Sequence, residues 1–166
     1  MTKIGISQNG YDVFDNTNNF VRTTVEGVGF WSLDEDIATI LDDFTQKFHD
    51  QIEHIDLPVR ETPGYDDWSY AVRPVRGQTT GYSNHGSATA RDLNATRHPR
   101  GVRNTYSAAK RAALRDLVNS YDGVLRHGEF YSGVIDGMHV EIDGSRVQVT
   151  AMAKNCLLYT SPSPRD

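Results

Sequence analysis

Cysteine is nearly absent: Cys156 is the one thiol among 166 residues, so no disulfide can close within the chain and no thiolate cluster can hold a metal. Any bound metal would have to rest on imidazoles and carboxylates. Long apolar runs are missing too. No stretch approaches the roughly 20 residues that cross a bilayer, and no apolar segment follows Met1-Thr2-Lys3-Ile4-Gly5-Ile6 to make a signal peptide. The expectation is a soluble chain made in the cytoplasm, with no membrane partner. Basic residues are outnumbered, with 17 Lys and Arg against 22 Asp and Glu and a net charge of −5; no basic stripe appears, which argues against nucleic acid as a partner. The length suits one domain, able to bury a core without staples, and a monomer is expected.

The C-terminal run Cys156-Leu157-Leu158-Tyr159-Thr160-Ser161-Pro162-Ser163-Pro164-Arg165-Asp166 resembles the translation of a transposon-derived sequencing adaptor. Residues 1–155 are therefore taken as the native domain and 156–166 as read-through, to be left out of fold reasoning. A genuine Ser/Pro-rich linker is the alternative. On the adaptor reading the native chain has no cysteine.

Two helices are expected. Ser32-Leu33-Asp34-Glu35 has the form of a capping box, followed by Ile37, Ile40, Leu41, Phe44, Phe48, Ile52 and Ile55 at three- and four-residue spacings. Ser107 can cap a second helix with the stripe Ala113, Leu114, Leu117, Val118 and Tyr121, ended by Gly123. Short strands are predicted near Tyr70–Val75, Ala90–Leu93, Val124–Arg126, Met138–Ile142 and Arg146–Thr150. An early one falls near Val21–Val28, weakened by Gly27 and Gly29. Gln8-Asn9-Gly10-Tyr11 and Asp15-Asn16-Thr17-Asn18-Asn19 read as a turn and a surface loop. The class is α+β, a small antiparallel sheet with packed helices.

Chemistry concentrates in three places: Tyr70-Ala71-Val72-Arg73-Pro74-Val75-Arg76-Gly77; Ser83-Asn84-His85 running on through Asp92-Leu93-Asn94 to His98-Pro99-Arg100-Gly101; and Asp136-Gly137-Met138-His139-Val140-Glu141-Ile142. His85 and Asp92 stand seven positions apart, which excludes the i, i+4 helical pair of an HExxH site. The small residues between them favour a loop carrying His85 and a short strand carrying Asp92. In Met138–Ile142 the alternation directs Met138, Val140 and Ile142 to the core and His139 and Glu141 to a cleft. Asp136, three residues before His139, would point to the opposite face of a regular strand unless the turn at Gly137 brings it round.

Taken together and in this order, the three motifs resemble the zinc peptidases that cut peptidoglycan stem peptides, namely VanY-type D-alanyl-D-alanine carboxypeptidases and the L-alanyl-D-glutamate endopeptidases of phage endolysins. The resemblance reaches from about Ser7 to Ile142. It implies the Hedgehog/DD-peptidase-like zinc peptidase fold and Zn2+ bound by His85, Asp92 and His139, with the fourth tetrahedral position left for water. It further implies Asp136 as the general base and acid, and Arg73 as a catalytic residue that binds substrate or the developing oxyanion. Ser83 is assigned either to a substrate carboxylate or to shaping the loop. His98 is expected to be structural near the rim, His127 to be at most a cleft-lining residue, and His49 and His54 to be helix residues without a metal role. Gly86, Ala88 and Val140 depart from the family's usual residues, which affects pocket shape rather than the ligands.

The function so implied is a phage or prophage endolysin domain acting on the stem peptide, made in the host cytoplasm and reaching the wall after release. A cell-wall-binding domain could follow Asn155. A cellular D,D-carboxypeptidase of wall remodelling is the alternative within the same chemistry; those usually carry an export signal or anchor. A zinc-stabilised module that binds the wall without cleaving it is the alternative outside enzymology, and the presence of Asp136 speaks against it.

Overall fold

A computed structural model describes residues 1–55, 66–75, 77–78 and 80–160. Among these described residues it is an α+β structure of three α-helices and small antiparallel sheets. Strands β1 (Lys3–Ile6) and β2 (Asp12–Phe14) form one hairpin, and β3 (Val21–Val25) and β4 (Val28–Ser32) a second. The early strand predicted at Val21–Val28 is thus two strands. Glu26 and Gly27 both adopt positive φ (49° and 81°), so the glycine that weakens a strand supplies a tight turn instead.

Helix α1 (Glu35–Gln51) follows β4. Its N-cap is Asp34, whose side chain accepts from the Ile37 amide at 3.1 Å, rather than the predicted Ser32. Ser32 is buried and accepts a hydrogen bond from Arg91. The predicted stripe is the buried face: Ile37, Ile40, Leu41, Phe44 and Phe48 pack with Phe30, Leu114, Val140 and Ile142. Each such side chain, fully buried, contributes on the order of 1.5–3 kcal/mol. Ser107 caps α2 (Ala108–Asn119) as predicted, accepting from the Lys110 amide.

The functional sheet has β5 (Ala90–Asp92), β6 (Leu125–His127) and β7 (His139–Ile142) in the order β5-β7-β6, all antiparallel. Register pairs Asp92 with His139 and Arg126 with Glu141, which sets these four on one face. Arg91 pairs with Val140 and His127 with Val140 from the other side, on the face toward α1. The fully buried Arg91 guanidinium donates to Asp42 at 2.6 Å and Thr45 at 3.0 Å on α1 and lies 4.2 Å from the Phe30 ring centroid.

Two predicted strands are not strands. Tyr70–Val75 builds no continuous ladder: it carries one isolated antiparallel bridge, Pro74 with Tyr82, held by Val75 N donating to the Gly81 carbonyl at 3.3 Å and Ser83 N to the Arg73 carbonyl at 3.1 Å. Arg146–Thr150 is the first turn of α3 (Arg146–Thr160). Ser145 and Gln148 exchange hydrogen bonds there, Ser145 N to Gln148 Oε1 and Gln148 N to Ser145 Oγ, as a reciprocal cap. The valine alternation in this segment leaves Val149 buried against the core and Val147 in solvent. Helix α3 continues past Asn155, and Cys156 is buried in the core. The remainder of the suspected adaptor segment, 161–166, lies outside the described residues.

Candidate metal centre

Three chain segments converge on one point. His85 sits on a short 3-10 turn, Asn84–Ser87, where a loop was predicted. Ser83 caps this turn by accepting from the His85 amide, and Ala88 ends it in the left-handed region (φ 51°). Asp92 ends β5 and His139 opens β7 directly opposite. His85 Nε2, His139 Nδ1 and Asp92 Oδ1 form a triangle with edges of 3.1, 3.0 and 3.2 Å. All three residues are buried.

The outward nitrogens explain why this triangle suits a cation. His85 Nδ1 lies 2.6 Å from the Ser69 carbonyl oxygen, which only accepts, so Nδ1 carries the proton and donates. His139 Nε2 donates likewise to Glu141 Oε2 at 2.9 Å. In the neutral rings, the lone pairs of His85 Nε2 and His139 Nδ1 then face each other and an anionic oxygen with no hydrogen between them. A proton or a metal ion between them would relieve that opposition. A proton can serve: burial opposes the charged imidazolium of His139, but hydrogen bonds to Asp92 and Glu141 prevail and raise its pKa to about 10. Burial likewise works against ionised Asp92, and its bonds to His139 and His85 prevail, holding the carboxyl far below the usual range.

A divalent ion satisfies all three atoms at once. Zinc bonds of about 2.0–2.1 Å at tetrahedral angles place ligand atoms about 3.3 Å apart, close to the edges found here. The backing of each imidazole by a carbonyl or carboxylate is the usual support of zinc histidines.

Glu141 is the hub of that support. One carboxylate oxygen takes His139 Nε2 and Asn84 Nδ2; the other takes Arg126 and the Tyr131 hydroxyl at 2.6 Å. Burial penalises its charge, yet these donors, His139 first, keep the carboxyl well below the carboxylate range. The turn at Asn9 seals the back, its amide donating to Asn84 Oδ1 at 3.0 Å and its side chain to Thr89 and the Ile142 carbonyl.

In front of the triangle lies a cleft in two parts. His139, Glu141 and Ser83 line one cavity of about 160 Å³; Asp92, Trp68 and Met138 line an adjoining one of about 240 Å³; Asp136, Arg73 and Arg100 border both. The turn at Gly137 brings Asp136 to the His139 side, fixed by His139 N donating to the Asp136 carbonyl at 3.0 Å. Arg100 Nε lies 3.5 Å from Asp136 Oδ2. Arg73 is placed by its carbonyl accepting from Ser83 N at 3.1 Å. Ser83 thus both caps the His85 turn and reaches the cleft wall.

The remaining histidines lie outside this centre. His98 is buried, stacked on Tyr106 with centroids 3.7 Å apart, and bonded to Glu53 and Thr105, both at 2.8 Å. His127, predicted at most to line the cleft, points the other way. It is on the core face of β6 beside Phe44 and Phe130, and burial, with nearby His139, lowers its pKa to about 3. His49, on α1, makes a second cluster with Glu26 and Asp50. Its Nδ1 accepts from the Ile55 amide at 3.2 Å, so the proton sits on Nε2, the nitrogen that faces Glu26 at 4.0 Å, and no lone pair is left for a metal. A cavity of about 620 Å³ near Tyr11, Phe20 and Leu33 shares no lining residue with the His85–Asp92–His139 triangle, and its Asp34 carboxylate is paired with Arg146.

Ser69, Arg100, Arg126 and Tyr131 were not singled out by the sequence. Only the assignment of Glu141 to the His139 face hinted at this supporting network. No family model, curated protein or solved structure matches the chain.

Proposed function

We propose that the chain is a zinc-dependent hydrolase of peptidoglycan stem peptides, with the zinc peptidase fold of the DD-peptidase type, working as the catalytic domain of a phage or prophage lysin. The observation that carries this reading is the triangle of His85, Asp92 and His139 with both outward nitrogens already committed to acceptors. Zinc bound there would supply Lewis-acid polarisation of the scissile carbonyl and acidify a water molecule. Asp136, at the mouth of the same cleft, takes the proton from the attacking water and passes it to the leaving amine. Arg100 orients the Asp136 carboxylate. Arg73 balances charge developing on the carbonyl oxygen or holds a substrate carboxylate, and Ser83 offers its hydroxyl at the cleft wall.

Digestion of purified peptidoglycan with and without a chelator, followed by mass spectrometry, tests the reading and identifies the bond. Chelator-sensitive products beginning at D-Glu, or ending after loss of D-Ala, are expected. One bound zinc per chain with no product would instead favour a wall-binding module or a missing targeting domain. Asp136→Ala is expected to keep zinc and lose hydrolysis, and His139→Ala to lose both; stoichiometric zinc in the latter would refute the ligand set.

A further inference from the structure

We infer that the cleft carries a second recognition site, which reads a carboxylate pendant on the substrate peptide through Arg100 and Arg126. The inference rests on the peptidase reading for the nature of the substrate. The two guanidiniums line the 160 Å³ cavity together, and both also line an adjoining groove of about 490 Å³ walled by Phe130, Tyr131 and Val134. Arg126 commits Nε and Nη2 to Glu141 and lies over the Tyr131 ring, 4.9 Å from its centroid, while Arg100 meets Asp136 through Nε. Among the described residues, Nη1 of Arg126 and both Nη nitrogens of Arg100 make no hydrogen bond. The chain carries a net −5, yet this groove presents two cations. Guanidinium donors of this kind match a planar carboxylate. Val134, about half exposed, and Phe130 supply apolar contact for the carbon chain that bears it. In a stem peptide such a carboxylate has two sources: the α-carboxyl of a γ-linked D-Glu, or the side-chain carboxyl of a diamino acid residue.

The probes are the pentapeptide L-Ala-γ-D-Glu-meso-diaminopimelate-D-Ala-D-Ala, which carries both candidate scissile bonds, and two analogues, each with one of those carboxyls converted to the amide. Turnover and calorimetric binding are measured on the full zinc-loaded chain. One amide is expected to lower kcat/KM or affinity about tenfold or more, the usual scale of a charge-assisted hydrogen bond, and thereby to name the source. In Arg100→Gln, checked for retained zinc, the acid and that amide should become nearly equivalent, and Arg100→Lys should restore part of the preference. Acid and both amides indistinguishable to the wild-type chain in turnover and in binding would overturn the inference. Turnover without preference leaves the peptidase reading standing and removes the second site. Binding preference without turnover of any peptide keeps the site and removes the peptidase reading.

Discussion

At the scale of single residues, the centre depends on where protons reside. Glu141 fixes the proton of His139 on Nε2, and removing a carboxylate that backs a metal-binding imidazole typically costs 10–100-fold in affinity. Glu141→Ala should therefore weaken zinc by about that factor in chelator competition, and an unchanged affinity would show that the hydrogen bond does not orient the ring. The raised pKa of His139 gives the sign of the pH dependence. In the metal-free chain its imidazolium stabilises the fold fully below 6.5, and this contribution is lost as pH rises through about 10. On the proposed zinc reading the ion would displace that proton, so affinity should climb from pH 6 to 9 with protons released on binding, measurable with a pH indicator. Alternation within Met138–Ile142 made the orientation of His139 and Glu141 legible in the sequence. The partners of the outward nitrogens were not, because Ser69 lies 16 residues from His85 and no local pattern records such a contact.

At the scale of elements, β5 and β7 meet so that a strand of three residues serves both faces: Asp92 toward the cleft, Arg91 into α1. A fully buried arginine was not predictable from composition, since Arg usually reads as surface. Arg91→Ala would leave Asp42 and Thr45 without their buried donor and should cost about 3 kcal/mol or more in denaturant unfolding. Gly128 has a different constraint. A Cβ there would come within 2.2 Å of the Asp136 carbonyl oxygen. Gly128→Ala should push the Asp136 turn away from the ligands, depressing hydrolysis with zinc still bound; wild-type turnover would show that the turn yields without consequence. The strand prediction for Arg146–Thr150 failed because alternating valines also suit a helix with one face buried, and the deciding Ser145–Gln148 exchange is a capping signal rather than a periodicity.

At the scale of the whole molecule, the helical stripes and the α+β class were readable because burial imposes period on sequence. The packing of α3 on α1 was not, since Arg146–Thr150 reads as a strand and 156–166 as read-through, so no helix is legible there. A chain ending at Asn155 should still fold and bind zinc, with a loss of about 1–2 kcal/mol from uncovering the surface beneath Cys156. Loss of zinc stoichiometry would show that the helix end is integral to the site. Acid lability has its own locus. Glu53 joins His98 and Lys110, each at 2.8 Å. Burial opposes its charge, but those donors lower its pKa from 4.5 to about 2. Its contribution is complete above 4.5 and lost as pH falls through about 2, so Glu53→Gln should flatten the stability profile across that window.

The stretch around Ser69 hangs on the candidate metal centre by its backbone: Trp68 and Asp92 exchange backbone N–H···O=C hydrogen bonds, Ala71 N donates to the His85 carbonyl, and Ser69 O takes His85 Nδ1. If the proposed zinc is held there, removing it would free the rings that brace these bonds, whereas α1 and its core are held by other contacts. Deuterium uptake at the Trp68, Ala71 and Asp92 amides should therefore accelerate on chelation while that at Leu41 and Phe44 stays slow, making three peptide groups a gauge of occupancy that needs no substrate.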